Sequence, residues 1–285
     1  MRVGLVPALL TPLTLRAPPA QLSSIPTAKV TLLEALESYN AATAADGVPS
    51  IDFGVKGGEL DGDSRAPRDL AKAGSFYAVS NRVGTAADAV ISAVEAVAKV
   101  NPTAEPTRGF GKADGATTCP LHGRWFNEFS TAADAVFSPD SKRGGAIVSN
   151  IVDATSGKTT NIIEFTGSDH PAFRATRNPP RPSPLDSLNV VLSATAVSAS
   201  RIELVFRFVK PRINVKLFGR KLKLTLIIPV PGPFITRVLF FFRPKKKLPP
   251  AYFDVLYLDD DLRVHQTGQG NLFVQRRRPA EVAAA

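Results

Sequence analysis

The side chains that most often perform chemistry are few in this chain of 285 residues. Its three histidines, His122, His170 and His265, are far apart and have no cysteine or aspartate partner at metal-ligand spacing. We expect each of them at the surface or at the rim of the fold. Cys119 stands beside Pro120 with no paired base in the sequence, which gives no support to a nucleophilic role. No metal site and no catalytic residue is predicted.

The densest group of carboxylates is the run from Asp259 to Asp261. Its spacing does not match a calcium-binding EF-hand loop, and a turn between two strands is the ordinary place for such a run. The sequence also lacks the GxSxG, GxxxxGK(S/T) and HExxH motifs and a strand–GxGxxG–helix unit. We therefore expect a protein that is not an enzyme and that carries no cofactor.

The formal net charge of +10 comes from one segment of the chain. Residues 201–250 hold 13 lysines and arginines against a single acid, Glu203, whereas the rest has 22 basic and 24 acidic residues. The segment is also the most apolar one, which suits an anionic membrane surface at least as well as a phosphate backbone. Because it lacks exposed aromatic residues interleaved with the basic ones, a nucleic-acid partner is not predicted.

Residues 222–242 have the length of a membrane span but the composition of a hairpin. Three prolines and a glycine interrupt the segment at 229–233, and Lys223 and Arg237 would place charges in hydrocarbon. We expect two strands that hold an apolar hairpin against anionic headgroups; the alternative is a solvated strand face whose charged edge deters aggregation. The cations expected at a membrane surface are Arg220, Lys221, Arg243, Lys245, Lys246 and Lys247.

From about residue 120 the hydrophobic pattern changes from helical to alternating. Apolar residues occupy every second position from Ile202 to Phe208, and again from Leu222 to Leu226. Period two is typical of antiparallel strands that are solvated on one side, and many such strands in succession favour a barrel or a sandwich. The candidate strands are 124–130, 146–152, 159–166, 187–197, 202–209, 221–226, 234–242, 252–258, 262–266 and 271–276.

Two helices are predicted ahead of the strands. Thr31 and Glu34 form a capping-box pair before one apolar stripe, and Thr85 and Asp88 form another before a second stripe. Residues 46–75 between them are rich in Gly, Asp and Pro and indicate a long polar loop.

The N-terminal segment has the composition of an organelle transit peptide. Residues 1–33 contain three basic residues, six Ser or Thr and no acid. We expect a mature protein that begins between about residues 17 and 30, and the alternative is an ordinary frayed terminus.

Five stretches, taken in order, resemble one known family. Residues 121–131 (LHGRWFNEFST) resemble the opening strand of the plastid lipid-associated proteins, also called plastid fibrillins, and residues 253–277 resemble their closing hairpin. The stretches at 100–106, 161–165 and 200–206 fall where the family has shorter motifs. The matching motif residues are Gly123, Arg124, Trp125, Tyr257, Leu258, Asp259, Asp261, Leu262, Arg263 and Phe273.

The resemblance implies a mainly β fold, in which two α-helices precede a lipocalin-like antiparallel barrel. A barrel of about eight strands has interior space for one small ligand, or for side chains only. Gly123 and Trp125 echo the G-x-W of lipocalins, and by that analogy we expect Arg263 to stack on Trp125. The expected organisation is a plastid-targeting leader at 1–29, a helical lead at 30–115, the barrel at 116–278 and a tail at 279–285.

The predicted site is the interior of this barrel. Residues two and four apart on a strand point the same way, so Trp125 and Phe129 are expected on one face of the opening strand. The apolar faces of the later strands are expected to complete the same surface. The predicted ligand-binding residues are Trp125, Phe129, Phe165, Leu204, Phe206, Phe208, Leu222, Leu224 and Leu226.

The resemblance implies non-enzymatic binding of a hydrophobic plastid lipid, such as a carotenoid, a prenylquinone or a fatty acid. The expected location is the periphery of thylakoids or plastoglobules, or the plastid stroma. The alternative is an accessory protein with a filled barrel that docks on a protein of the thylakoid or of prenyl-lipid synthesis. An open apolar cavity would favour the first function, and a filled interior would favour the second.

Overall fold

The computed structural model describes residues 27–46, 80–132, 135, 145–165, 185–217, 220–230 and 251–278. Its helices are α1 (Thr27–Asp46), α2 (Asn81–Ala98) and the short α3 (Gly115–Thr118). Its strands are β1 (Gly123–Ser130), β2 (Ala146–Asp153), β3 (Lys158–Phe165), β4 (Leu185–Ala196), β5 (Arg201–Leu217), β6 (Arg220–Thr225), β7 (Ile228–Pro229), β8 (Ala251–Leu258), β9 (Leu262–Thr267) and β10 (Leu272–Arg276).

Eight strands close into an antiparallel barrel. Their order is β1–β2–β3–β4–β5–β8–β9–β10, and β10 pairs back to β1. Strands β6 and β7 lie outside this ring and pair with the later part of β5. The predicted fold class, an antiparallel barrel with a helical lead, is confirmed. The predicted strand 234–242 lies outside the described residues.

The inward faces of the strands carry two apolar clusters, whose members come from strands on different sides of the ring. We call them the floor cluster and the rim cluster. The floor cluster consists of Cys119, Leu121, Trp125, Val152, Ala154, Ala194, Ile202, Phe253, Val255 and Leu258. The rim cluster consists of Ile163, Phe165 and Leu188, with Ala146, Val148, Leu185, Val190 and Val209 partly buried against them.

Helices α1 and α2 pack together on the outer face of the barrel. The apolar stripes of both helices meet outward-facing residues of β1, β8, β9 and β10, which explains why these strands are buried on both faces. The largest helix residues in this contact are Leu32, Leu36, Tyr39, Val90, Val94 and Val97, and their strand partners are Phe129, Tyr257, Leu262, Val264 and Val274.

The two predicted helices are present, but both begin four residues earlier than their expected caps. Thr31 lies inside α1, where its Oγ1 donates to the carbonyl oxygen of Thr27 at 3.2 Å. Thr85 likewise lies inside α2, whose N-cap is Ser80, and the Ser80 hydroxyl accepts the backbone N–H of Val83 at 3.2 Å. Both capping-box predictions are therefore wrong, because Ser and Thr are common inside helices as well as at their ends.

The prediction that Trp125 and Phe129 share one face of β1 is wrong. The pairing of β1 with β10 shifts register between Asn127 and Phe129, and such a bulge reverses the alternation of side chains. Trp125 stays inside the barrel, whereas Phe129 points outward to the helices. There it meets Tyr39 edge-on, with the ring centroids 5.0 Å apart. Phe129 is a core residue of the helix–barrel contact and does not line the interior.

A second bulge, in β5, reverses the predicted orientation of Phe208. Phe206 pairs with Leu192 and Phe208 pairs with Val191, so that Arg207 is an extra residue in β5. Because Leu192 and Val191 face opposite sides of β4, Phe206 points inward and Phe208 points outward. Phe208 is 39% exposed, so its predicted place in the interior is wrong.

The three leucines at 222–226, of which Leu222 and Leu224 lie in β6 and Leu226 follows it, are not enclosed by the barrel either. Leu222 and Leu224 pair with Val215 and Ile213, at the end of β5 that extends past the first residue of β4. Leu222 is 49% exposed, Leu224 50% and Leu226 40%. The predicted strand is present, and its leucines share a sheet face with Ile213 and Val215 of β5. It forms a hairpin outside the closed ring, however, so that the leucines stay exposed instead of lining an enclosed interior.

Candidate functional site

Arg263 of β9 is buried inside the barrel, with 1% of its surface exposed. Its Nε donates a hydrogen bond to Gln275 Oε1 at 2.9 Å, and its Nη2 donates to Asn150 Oδ1 at 2.7 Å. The guanidinium carbon lies 5.2 Å from the ring centroid of Trp125 and 5.9 Å from that of Phe253. These are cation–π distances, and the predicted stacking of Arg263 on Trp125 is confirmed.

The charge of Arg263 is not neutralised by any carboxylate in the described part of the chain, since its hydrogen-bond acceptors are both amide oxygens. Its Nη1 is buried and forms no hydrogen bond there. Burial, and secondarily the positive charge of Arg277, lowers the pKa of Arg263 from 12.5 to about 9. Arg263 therefore stays charged at neutral pH, which makes it a buried cation without a counter-charge among the described residues.

Three more polar atoms that face the interior are buried without a hydrogen-bond partner among the described residues: Asn127 Oδ1, Thr159 Oγ1 and His265 Nδ1. Asn127 pairs across the strands with Gln275, the residue that bonds Arg263, and His265 follows Arg263 two positions along β9. Folded proteins satisfy nearly all buried polar groups. These three unpaired atoms all face the interior, which indicates unused hydrogen-bonding capacity inside the barrel.

His265 was expected at the surface or rim, and this prediction is wrong. Its ring stacks on Phe273, with the centroids 4.8 Å apart and the planes at 4°, and lies 4.9 Å from Phe253 in a tilted arrangement. Burial, reinforced by the charge of Arg263, lowers the pKa of His265 well below 6.5. The imidazole is neutral at physiological pH.

At the level of Asn161 the side chains of the described residues leave the inward face of the barrel accessible. Asn161 pairs with Asn150, whose Nδ2 donates to Asn161 Oδ1 at 2.7 Å, and this pairing places Asn161 on the inward face. Asn161 is nevertheless exposed, and Val190 and Val209 in the same row across β4 and β5 are only partly buried. Accessible space therefore lies between the polar residues near Arg263 and the rim cluster.

The floor of the barrel is built around Trp125. Its Nε1 donates to the carbonyl oxygen of Leu121 at 2.9 Å, and Arg277 lies over its ring at 4.5 Å from the centroid. Arg277 also donates to the carbonyl oxygen of Pro120 at 3.0 Å. Gly123 has φ of 128°, a conformation that other residues rarely adopt, and so turns the chain into β1. Sequence reasoning missed Arg277, although it follows the last strand of the barrel.

The run of aspartates forms the β8–β9 turn, as predicted, and it also anchors α1. Asp259 Oδ1 accepts the backbone N–H groups of Asp261 at 3.1 Å and Leu262 at 2.9 Å. Asp259 Oδ2 accepts Lys29 Nζ at 2.7 Å and the Tyr257 hydroxyl at 2.6 Å. Lys29 was assigned to the leader, but it lies in α1 and belongs to the fold.

Two further motif residues, Arg124 and Leu258, have structural roles. Arg124 lies on the outer face of β1, where its Nη2 donates to Glu164 Oε2 at 2.8 Å. Leu258 belongs to the floor cluster. Neither residue adds a polar atom to the interior.

The structure brings together four of the predicted ligand-binding residues on the inward faces. Trp125 belongs to the floor cluster, and Leu204 packs partly buried against it. Phe206 points inward in the middle of β5, and Phe165 belongs to the rim cluster. Apart from Arg263, the polar residues of the interior were not predicted, because an isolated Asn or Gln on a strand resembles a solvated position.

An exposed apolar surface adjoins the barrel at β6 and β7. We call it the apolar hairpin; it consists of Leu222, Leu224, Leu226 and Ile228, which share one sheet face, and of Ile227 on the opposite face, which is the most exposed at 63%. Arg220 and Lys223 are exposed beside it, and Lys223 Nζ lies 3.1 Å from Asp186 Oδ1. Lys221 belongs to β6. The predicted cations Arg243, Lys245, Lys246 and Lys247 lie outside the described residues.

Neither of the two long helices in the described segments, α1 or α2, has the length and apolar content of a bilayer span.

An open groove of about 720 Å³ lies at the floor end, lined by residues of the 102–108 loop, α3 and the β8–β9 turn. Its lining mixes charges of both signs, and Cys119 is the one thiol in it. Burial raises the pKa of that thiol, which disfavours the reactive thiolate. No group of His, Cys, Asp and Glu suited to a metal ion occurs among the residues that the structure describes.

Comparison with known proteins finds no matching family model, no matching curated protein and no matching solved structure. The resemblance to plastid fibrillins therefore stays a prediction, and the site is interpreted from its own residues.

Proposed function

We propose that the protein binds a hydrophobic plastid lipid without transforming it, and that it associates with a lipid surface through the apolar hairpin. The observation that carries the proposal is the hairpin itself, in which Leu222, Leu224, Leu226 and Ile228 share one sheet face and are each 40–50% exposed. A contiguous exposed apolar surface is uncommon on soluble proteins and marks contact with lipid or protein. Candidate lipids are a carotenoid, a prenylquinone or a fatty acid.

The course of β5 supports a link between the hairpin and the barrel interior. Ile202 of this strand belongs to the floor cluster, Val209 packs in the rim cluster, and Ile213 pairs with Leu224 of the hairpin. One strand thus carries apolar residues from the closed end of the barrel to the exposed surface. A lipid that leaves a membrane at the hairpin would meet apolar side chains along the whole path.

The charges around the hairpin support contact with anionic headgroups. Arg212 and Lys223 both approach Asp186, with N···O distances of 3.9 and 3.1 Å, so one carboxylate faces two cations. Arg220 adds a further exposed cation on β6. Each basic residue near an anionic membrane contributes about 1 kcal/mol of binding. We place the protein at the thylakoid or plastoglobule periphery, or in the stroma, of a plastid.

An accessory protein that docks on another protein is the second candidate function. The packing of the floor cluster favours it, because Trp125, Leu121 and Leu258 are completely buried there and leave that end of the barrel filled. The apolar hairpin would then contact a protein partner. Binding of pure lipid vesicles distinguishes the two functions.

The test is flotation of the purified chain with vesicles of neutral lipid and with vesicles that also contain an anionic lipid. We expect flotation with the anionic vesicles and a decrease as salt rises, because surface charges are screened over about 8 Å at about 0.15 M ionic strength. A variant with Leu222→Ser, Leu224→Ser and Ile228→Ser, which changes three residues of one sheet face, should lose flotation.

The matched control replaces three scattered exposed valines, Val30, Val100 and Val197, which are 39%, 46% and 48% exposed. The Val30→Ser, Val100→Ser, Val197→Ser variant should float like the parent. Equal flotation of the hairpin variant and the parent would remove the hairpin from the proposal, and failure of the parent to float would favour the docking function.

A further inference from the structure

The buried charge of Arg263 requires an explanation beyond packing. An ionised side chain that leaves water loses several kcal/mol of solvation, and proteins ordinarily offset this loss with a counter-charge. In the described part of the chain Arg263 has two amide oxygens and two aromatic rings as neighbours, and no carboxylate. These neighbours orient the guanidinium but leave its charge uncompensated.

The free hydrogen-bonding capacity is also located at this residue. Arg263 Nη1 is buried and unpaired in the described structure, while Nε and Nη2 are fixed by Gln275 and Asn150. A fork with one side held and the other side free is suited to an acceptor that carries a negative charge. His265, two positions along the same strand, adds a neutral ring with an unpaired Nδ1.

The surroundings favour a monoanion on an apolar chain. One buried cation balances one negative charge, whereas a phosphate monoester at neutral pH carries nearly two charges and would need further donors. The space near Asn161 adjoins partly buried Val190 and Val209, and the rim cluster lies beyond. The interior therefore changes from polar at Arg263 to apolar toward the rim.

We propose that Arg263 binds the carboxylate of a long-chain fatty acid whose hydrocarbon chain extends through the barrel toward the apolar hairpin. The inference rests on the proposed lipid-binding function and narrows it, since neither a carotene hydrocarbon nor a prenylquinone carries a carboxylate. In this complex, Arg263 Nη1 donates a hydrogen bond to the carboxylate of the fatty acid, while Gln275 and Asn150 hold the guanidinium in place.

The experiment compares oleate with oleyl alcohol, which has the same chain without the charge, by isothermal titration calorimetry on the delipidated full chain. We expect oleate to bind about tenfold or more tightly than the alcohol, because one charge-assisted hydrogen bond from Arg263 to the carboxylate accounts for a difference of that size. Arg263→Met should bring the two affinities within about threefold of each other while it retains binding of the alcohol. Arg124→Met, a change of the same kind on the outer face of β1, should leave the preference of the parent unchanged.

Gln275→Glu provides a test that keeps Arg263 in place. This substitution puts a carboxylate where an amide oxygen now accepts from Arg263 Nε at 2.9 Å. With an internal counter-charge the protein should lose its preference for oleate and gain thermal stability, because the buried ion is now paired. A folded Gln275→Glu variant that keeps the preference would overturn the inference.

The outcomes also separate the inference from the function on which it rests. Equal affinity of the parent for oleate and oleyl alcohol overturns the role of Arg263 and leaves lipid binding intact. Binding of neither ligand overturns both. If Arg263→Met does not fold, the parent's preference and the Gln275→Glu variant still decide the matter.

Discussion

The guanidinium of Arg263 and the indole of Trp125 face each other inside the barrel, with the guanidinium carbon 5.2 Å from the ring centroid. Trp125 also forms the floor of the barrel, where Arg277 covers its ring at 4.5 Å. The lone tryptophan of the chain therefore lies beside the buried charge of the site. Its fluorescence reports on that site without a label.

Phe129 and Phe206 should behave differently on truncation. Phe129→Ala removes the edge-on contact with Tyr39 and should lower the free energy of unfolding by about 3–5 kcal/mol, with lipid affinity unchanged in the folded fraction. Phe206→Ala should reduce lipid affinity with a smaller loss of stability, since Phe206 is inward-facing but only partly buried. Urea denaturation and lipid titration of both variants measure this, and weaker lipid binding by folded Phe129→Ala would contradict the outward position of its ring.

Lys29 should be a stabilising residue of the fold. Lys29→Met leaves Asp259 half-buried without its cation, which should cost about 2 kcal/mol in urea denaturation. Arg82→Met breaks a comparable pair with Asp46 on a solvent-exposed surface, where Arg82 is 62% exposed, and should change stability little. Equal effects of the two substitutions would show that the β8–β9 turn does not anchor α1.

The stability of the fold should depend on pH through His265. Its pKa in the folded protein is well below 6.5 because burial, with Arg263 in support, disfavours the charged ring. Below about pH 6.5 the unfolded chain binds a proton that the folded protein does not. The free energy of unfolding should therefore decrease as the pH falls, with a slope that approaches about 1.4 kcal/mol per pH unit. This contribution is absent above that pH.

His265→Phe should reduce that dependence, since phenylalanine can stack between Phe253 and Phe273 without titrating. Urea denaturation of parent and variant at several pH values between about 7 and 5 gives the two slopes. Parallel slopes would mean that His265 takes up a proton in the folded state and is not held neutral by its surroundings.

The barrel could be predicted from the sequence because alternation is a local property of each strand. Strands β1 to β4 and β8 to β10 lie within two residues of their predicted positions. The faces of those strands were less predictable, since one extra residue at a bulge reverses every side chain that follows it. Phe129 and Phe208 were placed inside for that reason.

The polar residues of the candidate site could not be predicted because their significance depends on long-range pairing. Arg263, Asn150 and Gln275 come together only when β2, β9 and β10 take their places in the closed ring. The analogy to lipocalins predicts Arg263 beside Trp125, but that no described carboxylate lies beside Arg263 is a property of the assembled interior. The exposure of β6 could not be predicted either, because its leucines alternate as they would in a barrel wall.

The most direct test of lipid binding inside the barrel is quenching of Trp125 fluorescence by brominated fatty acids, since bromine quenches an indole only at close range. Stearic acid brominated beside the carboxylate should quench Trp125 saturably, and more strongly than stearic acid brominated at the far end of the chain. Quenching no greater than that of free N-acetyltryptophanamide at the same lipid concentration would contradict a lipid site in the barrel.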